Sequence, residues 1–423
     1  MDAKLIALII FIAAYSLFII LPRRRTWAAV AGALMVLATG TLTPVQVFLA
    51  VNWNVMGIFV GTLVLADLFI ESRMPACLAE RIVQHAPSTR MAMLFICLLS
   101  GVISAFVENV ATVMIIAPIA LALAEKLKIS PVKLLIAIAV SSNLQGAATL
   151  IGDPPSMLLA GFAKMNFMDF FLYKGRLSLF FAVELGALAS LVYLAWLFRV
   201  HRQKTELPLS EKIKTWFPTI LLIALIVALA LSSFFDADFS YLAGILCLVA
   251  AGLGIGLDML YHRSPFVRRL KALDWDTTFF LVGVFVLVGS LTFTGWTETI
   301  ATAMSQMIGG NLLLGYVFLI AVAVLLSAFV DNVPFLAAML PVAILIARNL
   351  GVEPTLFLFA LILGASIGGN ITPIGASANI VTMGLLKKTG YKVSFWEFSR
   401  IGIPFTLVSV TAASLLVWFV WGP

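Results

Sequence analysis

Charge is scarce in this sequence. Of its 423 residues only 11% are Asp, Glu, Lys or Arg, while 62% are hydrophobic and the mean hydropathy is +1.11. Soluble domains carry about 25% charged and roughly 45–50% apolar residues. No water-soluble fold hides that much apolar surface. A soluble enzyme and a disordered regulator are therefore excluded, and a polytopic integral membrane protein is expected. Cysteine and histidine are rarer still. Cys77, Cys97 and Cys247 are widely scattered, with no CxxC or His/Cys cluster, which excludes a disulfide scaffold and gives no metal-centre signal. His85, His201 and His262 fall in polar segments and read as solvated loop residues. No cofactor is expected. The formal net charge of +7 would suggest a nucleic-acid partner in a soluble chain. Here the basic residues sit in short loops between apolar runs, so membrane topology accounts for them and no nucleic-acid partner is expected.

What the chain does have is long apolar runs, and a spanning helix needs about 20 such residues. Spans are expected near 5–21, 27–43, 54–72, 177–199, 216–234, 239–260, 276–296 and 401–421. The first is followed at once by Pro22-Arg23-Arg24-Arg25 and reads as a retained helix rather than a signal peptide. Two apolar pairs, 91–107 with 110–127 and 312–330 with 333–350, are interrupted by Glu108-Asn109 and Asp331-Asn332. Two further spans, about 133–163 and 355–386, are broken by segments rich in Gly, Pro, Ser, Thr and Asn. Irregular backbone at membrane depth survives only where it lines a cavity or is packed in protein.

A repeat organises these features. At a shift of 223 residues, Ser104-Ala105-Phe106-Val107-Glu108-Asn109-Val110 lands on Ser327-Ala328-Phe329-Val330-Asp331-Asn332-Val333. Pro118, Pro131, Gly146, Thr149 and Ile151-Gly152 land on Pro341, Pro354, Gly369, Thr372 and Ile374-Gly375, and about a third of positions from 104 to 152 are identical without a gap. Asn52-Trp53-Asn54 pairs with Asp274-Trp275-Asp276 at a shift of 222. Shared apolar composition does not produce such a gapless block, so the duplication is read as real.

Threading the chain through these spans puts 22 of the 27 basic residues on the face reached after the first helix. The positive-inside rule makes that face cytoplasmic and places both termini outside. Each copy crosses an odd number of times, so the second copy is inverted. The expected fold is an all-α polytopic membrane protein of two inverted repeats, each with a re-entrant helical hairpin and a broken transmembrane helix. Residues 1–199 form the first repeat, 200–215 a cytoplasmic linker and 216–423 the second repeat. The hairpins fall at about 91–127 and 312–350. Charge counting does not separate a hairpin from two full crossings; the lack of a Gly- or Pro-rich turn at the tips favours the hairpin. Inverted repeats with broken helices mark secondary transporters, whose cargo binds where the repeats meet.

The residues suited to chemistry gather at these interruptions. A charge near the bilayer centre costs roughly 2.5–3.5 kcal/mol on insertion scales and should face a cavity or a partner, which singles out Glu108 and Asp331. Asn109 and Asn332 offer amide donors and carbonyl acceptors, so the tips can coordinate a hard cation such as Na⁺ through oxygen, hydrogen-bond an oxyanion or exchange protons. In the first broken helix the candidates are Ser142, Asn143, Thr149, Gly152 and Asp153; in the second they are Gly369, Asn370, Thr372, Gly375, Ser377 and Asn379. Gly and Pro free backbone carbonyls, and a helix restarting near Ser156 would aim its N–H groups at the cavity. Asp153 is matched by Ala376, so the half-sites are chemically unequal. Asp67 and Glu71 share one helix face, either as a proton path or as an interfacial pair with Arg73, and Glu184 is read either as functional or as a packing partner.

The segments Ala105 to Val110, Ser142-Asn143 through Ile151-Gly152-Asp153-Pro154-Pro155, Val330 to Pro334, and Gly369-Asn370 through Gly375-Ala376-Ser377-Ala378-Asn379 resemble the ion transporter superfamily. The similarity is greatest to the branch of arsenite permeases, NhaD-type sodium/proton antiporters and the pigmentation P-protein, with a citrate-transporter-like domain. It covers nearly the whole chain. It implies hairpin tips and unwound helices forming the site, a scaffold and a transport subdomain moving as rigid bodies, and a homodimer in a prokaryotic inner or plasma membrane. The first tip has Glu where the P-protein pattern has Asp, Gln145 replaces a Gly, and the Ser-Asn-Thr tips of the dicarboxylate branch are missing. The expected function is ion-coupled secondary transport of a small inorganic ion or anion with Na⁺ or H⁺ as participant, sodium/proton antiport ahead of arsenite or antimonite efflux and of di- or tricarboxylate transport. A channel is disfavoured by the asymmetric half-sites. An intramembrane aspartyl protease is disfavoured because Gly152-Asp153 lacks a second Asp in a matching context.

Overall fold

Helix dominates because the apolar runs are long and their ends are marked by turn-forming residues. The computed structural model describes residues 2–21, 24–201, 211–262, 267, 269, 271 and 273–423. Most of the hydrophilic linker expected at 200–215 lies outside the described residues, as do Arg23, Arg202, Lys204, Arg263 and Arg268 of the basic set.

Among the described residues the chain forms nineteen α-helices, eight of them long and apolar enough to cross a membrane. In the first half these are α1 (Ala3–Ile20), α2 (Arg25–Ala38), α3 (Pro44–Ala50), α4 (Trp53–Glu71), α5 (Met74–His85), α6 (Thr89–Ser104), α7 (Asn109–Leu127), α8 (Val132–Gly146), α9 (Pro154–Ala163) and α10 (Leu179–Leu197). The second half contains α11 (Phe217–Ser232), α12 (Leu242–His262), α13 (Trp275–Phe293), α14 (Trp296–Ile308), α15 (Leu312–Ser327), α16 (Asn332–Leu350), α17 (Thr355–Gly368), α18 (Ser377–Lys388) and α19 (Phe395–Trp421). From α4 onward the same series recurs from α13. The helices α4 and α13 have 19 residues each, α6 and α15 have 16, and α7 and α16 have 19.

Three features differ from expectation. The span read at 27–43 stops at Ala38, because Gly40 turns the backbone left-handed (φ +68°) and Thr43 with Gln46 builds a capping box for α3. The helices α5 and α14 were not foreseen; both are short and have a polar face. The fold is also not purely helical. Leu172–Tyr173 pairs antiparallel with Arg176–Leu177 across Lys174-Gly175, whose positive φ values (+48° and +75°) suit a two-residue hairpin turn.

Helices meet through small residues, as expected where lipid offers no hydrophobic contrast. A Cβ on Gly61 of α4 would lie 2.5 Å from the backbone of Cys247 in α12, and one on Gly283 of α13 would lie 2.7 Å from Ala29 in α2. So α12 lies on α4 as α2 lies on α13. The two halves exchange contacts at the centre: α9 packs on α16, and α18 packs on α7. This crossing brings both hairpin tips and both broken helices together. The tips end inside protein, with Ala105, Val107, Asn109 and Asn332 buried.

At one end of the bundle, Arg269 binds three carboxylates: Asp67 (3.0 Å) and Glu71 (2.6 Å) of α4, and Asp258 (2.6 Å) of α12. Arg73 instead pairs with Glu211 at 2.8 Å, so the pairing of Glu71 with Arg73 is replaced by one made from far away in sequence. Removing one partner of a buried ion pair leaves an uncompensated charge and costs about 3–5 kcal/mol. Arg269→Met removes the guanidinium shared by Asp67, Glu71 and Asp258 and is expected to lower the apparent Tm clearly; a wild-type melting curve in detergent would show that Arg269 is not a brace.

Candidate functional site

The crossing encloses a cavity of about 600 Å³. Of the expected site residues, Glu108, Asn109, Asp153, Asp331, Asn332 and Ser377 line it. It extends past the end of α1 to Arg25, Asp274 and Asp276, the last two being exposed at its mouth. A second recess of about 560 Å³ sits at the opposite ends of α4 and α12, beside Asn52, Asn54 and Ser240.

Each tip acid begins the second helix of its hairpin. The Glu108 carboxylate accepts from the Ala111 N–H (3.1 Å) through Oε2, and Asp331 accepts from the Val333 N–H (3.1 Å) through Oδ1. A carboxylate there caps the helix and faces its positive dipole end. The other oxygen differs between the halves. Asp331 Oδ2 is bound by the Arg25 guanidinium, whereas among the described residues Glu108 has no ion pair and is bonded by backbone N–H groups. Asp153 is 5% exposed and accepts from the Asn109 amide at 3.1 Å.

Behind the cavity runs a chain of amides. Asn109 also donates to Asn143 (3.0 Å), and Asn143 donates to Asn370 (2.8 Å) and Asn379 (2.9 Å) of the other half. Asn370 ends on the Val140 carbonyl, and Asn379 ends on those of Gly369 and Thr372. Buried amides must find such partners, so Asn143, Asn370 and Asn379 form a brace between the halves one layer below the cavity. Ser142 donates to Ser104 (2.9 Å) and to the Asn109 carbonyl (3.2 Å). Thr149 donates to the Ala105 carbonyl and Thr372 to the Ala328 carbonyl, pinning each tip to its own broken helix. Gly152 and Gly375 serve the same approach. A Cβ on either would meet three backbone carbonyls at 2.5–3.0 Å. Gly369 is a close-approach position too, its Cβ direction meeting the Gly375 carbonyl at 2.7 Å.

Two expectations need correction. The broken helices leave fewer free carbonyls than expected, because the Gly146 and Gly369 carbonyls are already taken by Ser156 and Asn379. The helix restarts at Pro154, near Ser156 as expected, but its first turn offers fewer N–H groups than the dipole argument assumed. Pro154 and Pro155 fill its first two positions and supply no N–H, and the Ser156 N–H is spent on the Asp153 carbonyl (3.0 Å). The restart of α18 has neither proline nor a side-chain cap, and it lines the cavity. Sequence reasoning missed Arg25, Asp274 and Asp276 as cavity residues. Glu184 does not line the cavity; it is half-buried on α10 and bonds the Gln145 side chain.

Comparison with known proteins places these features in context. The family model described as a citrate transporter (CitMHS) matches residues 8–354 and 321–422. An uncharacterized transporter of Mycobacterium tuberculosis is 30% identical over 431 residues, covering 98% of each chain. The P protein of Mus musculus is 27% identical over 96% of this chain and 59% of its own length. Among solved structures, the YdaH transporter of Alcanivorax borkumensis, described as having an unusual topology, superposes with a TM-score of 0.61 at 14% identity over 86% of this chain and 84% of that one. MtrF of Neisseria gonorrhoeae, described with a class of antimetabolite efflux pumps, gives 0.59 at 14% identity over 87% and 82%. At these identities the two structures speak for a shared fold.

Proposed function

Because the chain belongs to the citrate transporter family and is a membrane transporter, we propose that it is an ion-coupled secondary transporter in which Na⁺ or H⁺ occupies the central cavity, with sodium/proton antiport the favoured mode. The charge balance of the cavity carries this reading. Among the described residues five carboxylates line it, Glu108, Asp153, Asp274, Asp276 and Asp331, against one base, Arg25. Glu108, Asp153 and Asp331 are withdrawn from solvent, and there such an excess of like charge needs a cation or protons to offset it. The Asn109 and Asn332 amides add neutral oxygens of the kind hard cations take. A bare polyanionic cargo would meet this field unfavourably.

The two recesses support alternating access. They sit at opposite ends of α4 and α13, the lower-numbered walls of the two copies, and the Asn52/Asn54 pair of one corresponds to the Asp274/Asp276 pair of the other. With the second half inverted and the basic face cytoplasmic, the central cavity faces inward and the second recess faces outward. A coupled anion is the second reading. The uncapped start of α18 beside Arg25 favours it, since helix N-termini attract anions.

The test uses purified protein in liposomes with an acidic interior and a pH-sensitive dye. Na⁺, Li⁺, K⁺, arsenite or citrate is added outside, one at a time. Alkalinisation on adding Na⁺ or Li⁺ alone is the expected result. Silence with the cations, followed by uptake of labelled citrate or arsenite, would replace antiport by the anion reading.

A further inference from the structure

Resting on the cation reading above, we propose that Arg25 is an internal counter-ion that competes with the transported cation for Asp331. Arg25 stands at the first turn of α2, outside the hairpins and broken helices, yet its guanidinium reaches the tip of the second-half hairpin and binds Asp331 Oδ2. The other oxygen of Asp331 caps α16, so both are committed. Arg25 also lies 4.7 Å from the centre of the Phe280 ring, and Tyr15 of the preceding helix donates to the Pro334 carbonyl (2.8 Å) just past the tip. The N-terminal helix pair therefore holds this tip through one charge and one hydrogen bond. The first-half tip has no such hold. The helix α12, which lies on α4 as α2 lies on α13, contains no Lys or Arg from Leu242 to His262, and among the described residues Glu108, which lines the cavity, is held by backbone N–H groups and by no basic side chain.

This asymmetry divides the labour. Glu108 and Asp153 form the open cation end. Asp331 accepts a cation only when Arg25 releases it, and a tip that has lost its cation regains charge balance from Arg25. An arginine tethered this way prevents the empty carrier from presenting a bare carboxylate to the bilayer, and it sets the concentration at which external cations win.

The experiment measures thermal stabilisation of purified protein by Na⁺ and by Li⁺, together with the KM and maximal rate of exchange in liposomes. Arg25→Gln should lower the half-saturating cation concentration by on the order of tenfold, the scale of a lost charge-assisted hydrogen bond, while the maximal rate falls. Arg25→Lys, which keeps the charge but not the planar fork, should give an intermediate value and covers the case in which Arg25→Gln does not fold. A half-saturation that is unchanged or raised in the folded variants would overturn the proposal and leave the cation reading standing. Wild-type protein indifferent to both cations would overturn the two together.

Discussion

Glu108→Gln and Asp331→Asn should each reduce ion-dependent transport by about 100-fold or more while the protein stays folded. On the proposed cation reading, transition of a loaded carrier depends on the cation neutralising the site, and an amide cannot supply the charge that a buried cation needs. The structural side of the two changes is modest. Asn is as good an N-cap as Asp, so Asp331→Asn keeps the start of α16. Gln keeps an amide oxygen that accepts from the Ala111 N–H, and the loss of charge at this cap should cost at most about 0.5–2 kcal/mol. Melting curves beside liposome flux separate the two effects. Ion dependence that persists unchanged in both variants would dismiss the tips as the site.

Gly152→Ala and Gly375→Ala should be strongly damaging single-methyl changes in the molecule's centre. The added carbon at 152 would lie 2.6 Å from the Gly146 carbonyl oxygen and 3.0 Å from those of Ser104 and Ala105. At 375 the distances are 2.5 Å to Gly369, 2.8 Å to Ser327 and 2.9 Å to Ala328. All six contacts are backbone, so no side chain can rotate away, and the broken helix must move off its hairpin tip. Overpacking costs about 1–3 kcal/mol where neighbours can yield, and more is expected here. The readout is the yield of monodisperse protein and its Tm, with Gly384→Ala in α18 as the control, since nothing lies within 4 Å of its Cβ direction. Equal behaviour of all three variants would show that the tip contact is not tight in solution.

Much of the centre is legible in the sequence because it is written locally. Glu108-Asn109 and Asp331-Asn332 interrupt apolar runs, and both do cap a helix at a buried tip. The helix breaks at 147–153 and 369–376 fall where Gly and Pro stop a helix whatever surrounds it. Thr149 and Thr372 were picked out as matched positions, and they make matched bonds to Ala105 and Ala328. What local pattern cannot show is which oxygen of a group is already spent. Asn143, Asn370 and Asn379 have the right chemistry for ion binding, yet they satisfy one another beneath the cavity. Pro154-Pro155 signals a helix break correctly, but only the position of the restart shows that it removes the donors the dipole argument counted on.

The sequence by itself determined the membrane class, the helical content and the placing of an acid at each of two repeated interruptions, because composition and apolar run length act over one helix at a time. Only the tertiary structure decided that Arg25 reaches Asp331 across 306 residues, that Arg269 joins Asp67, Glu71 and Asp258, and that five carboxylates share one cavity. These pairings follow from how α2 crosses α13 and how α9 and α18 exchange partners, a geometry set by close packing of small residues between distant helices.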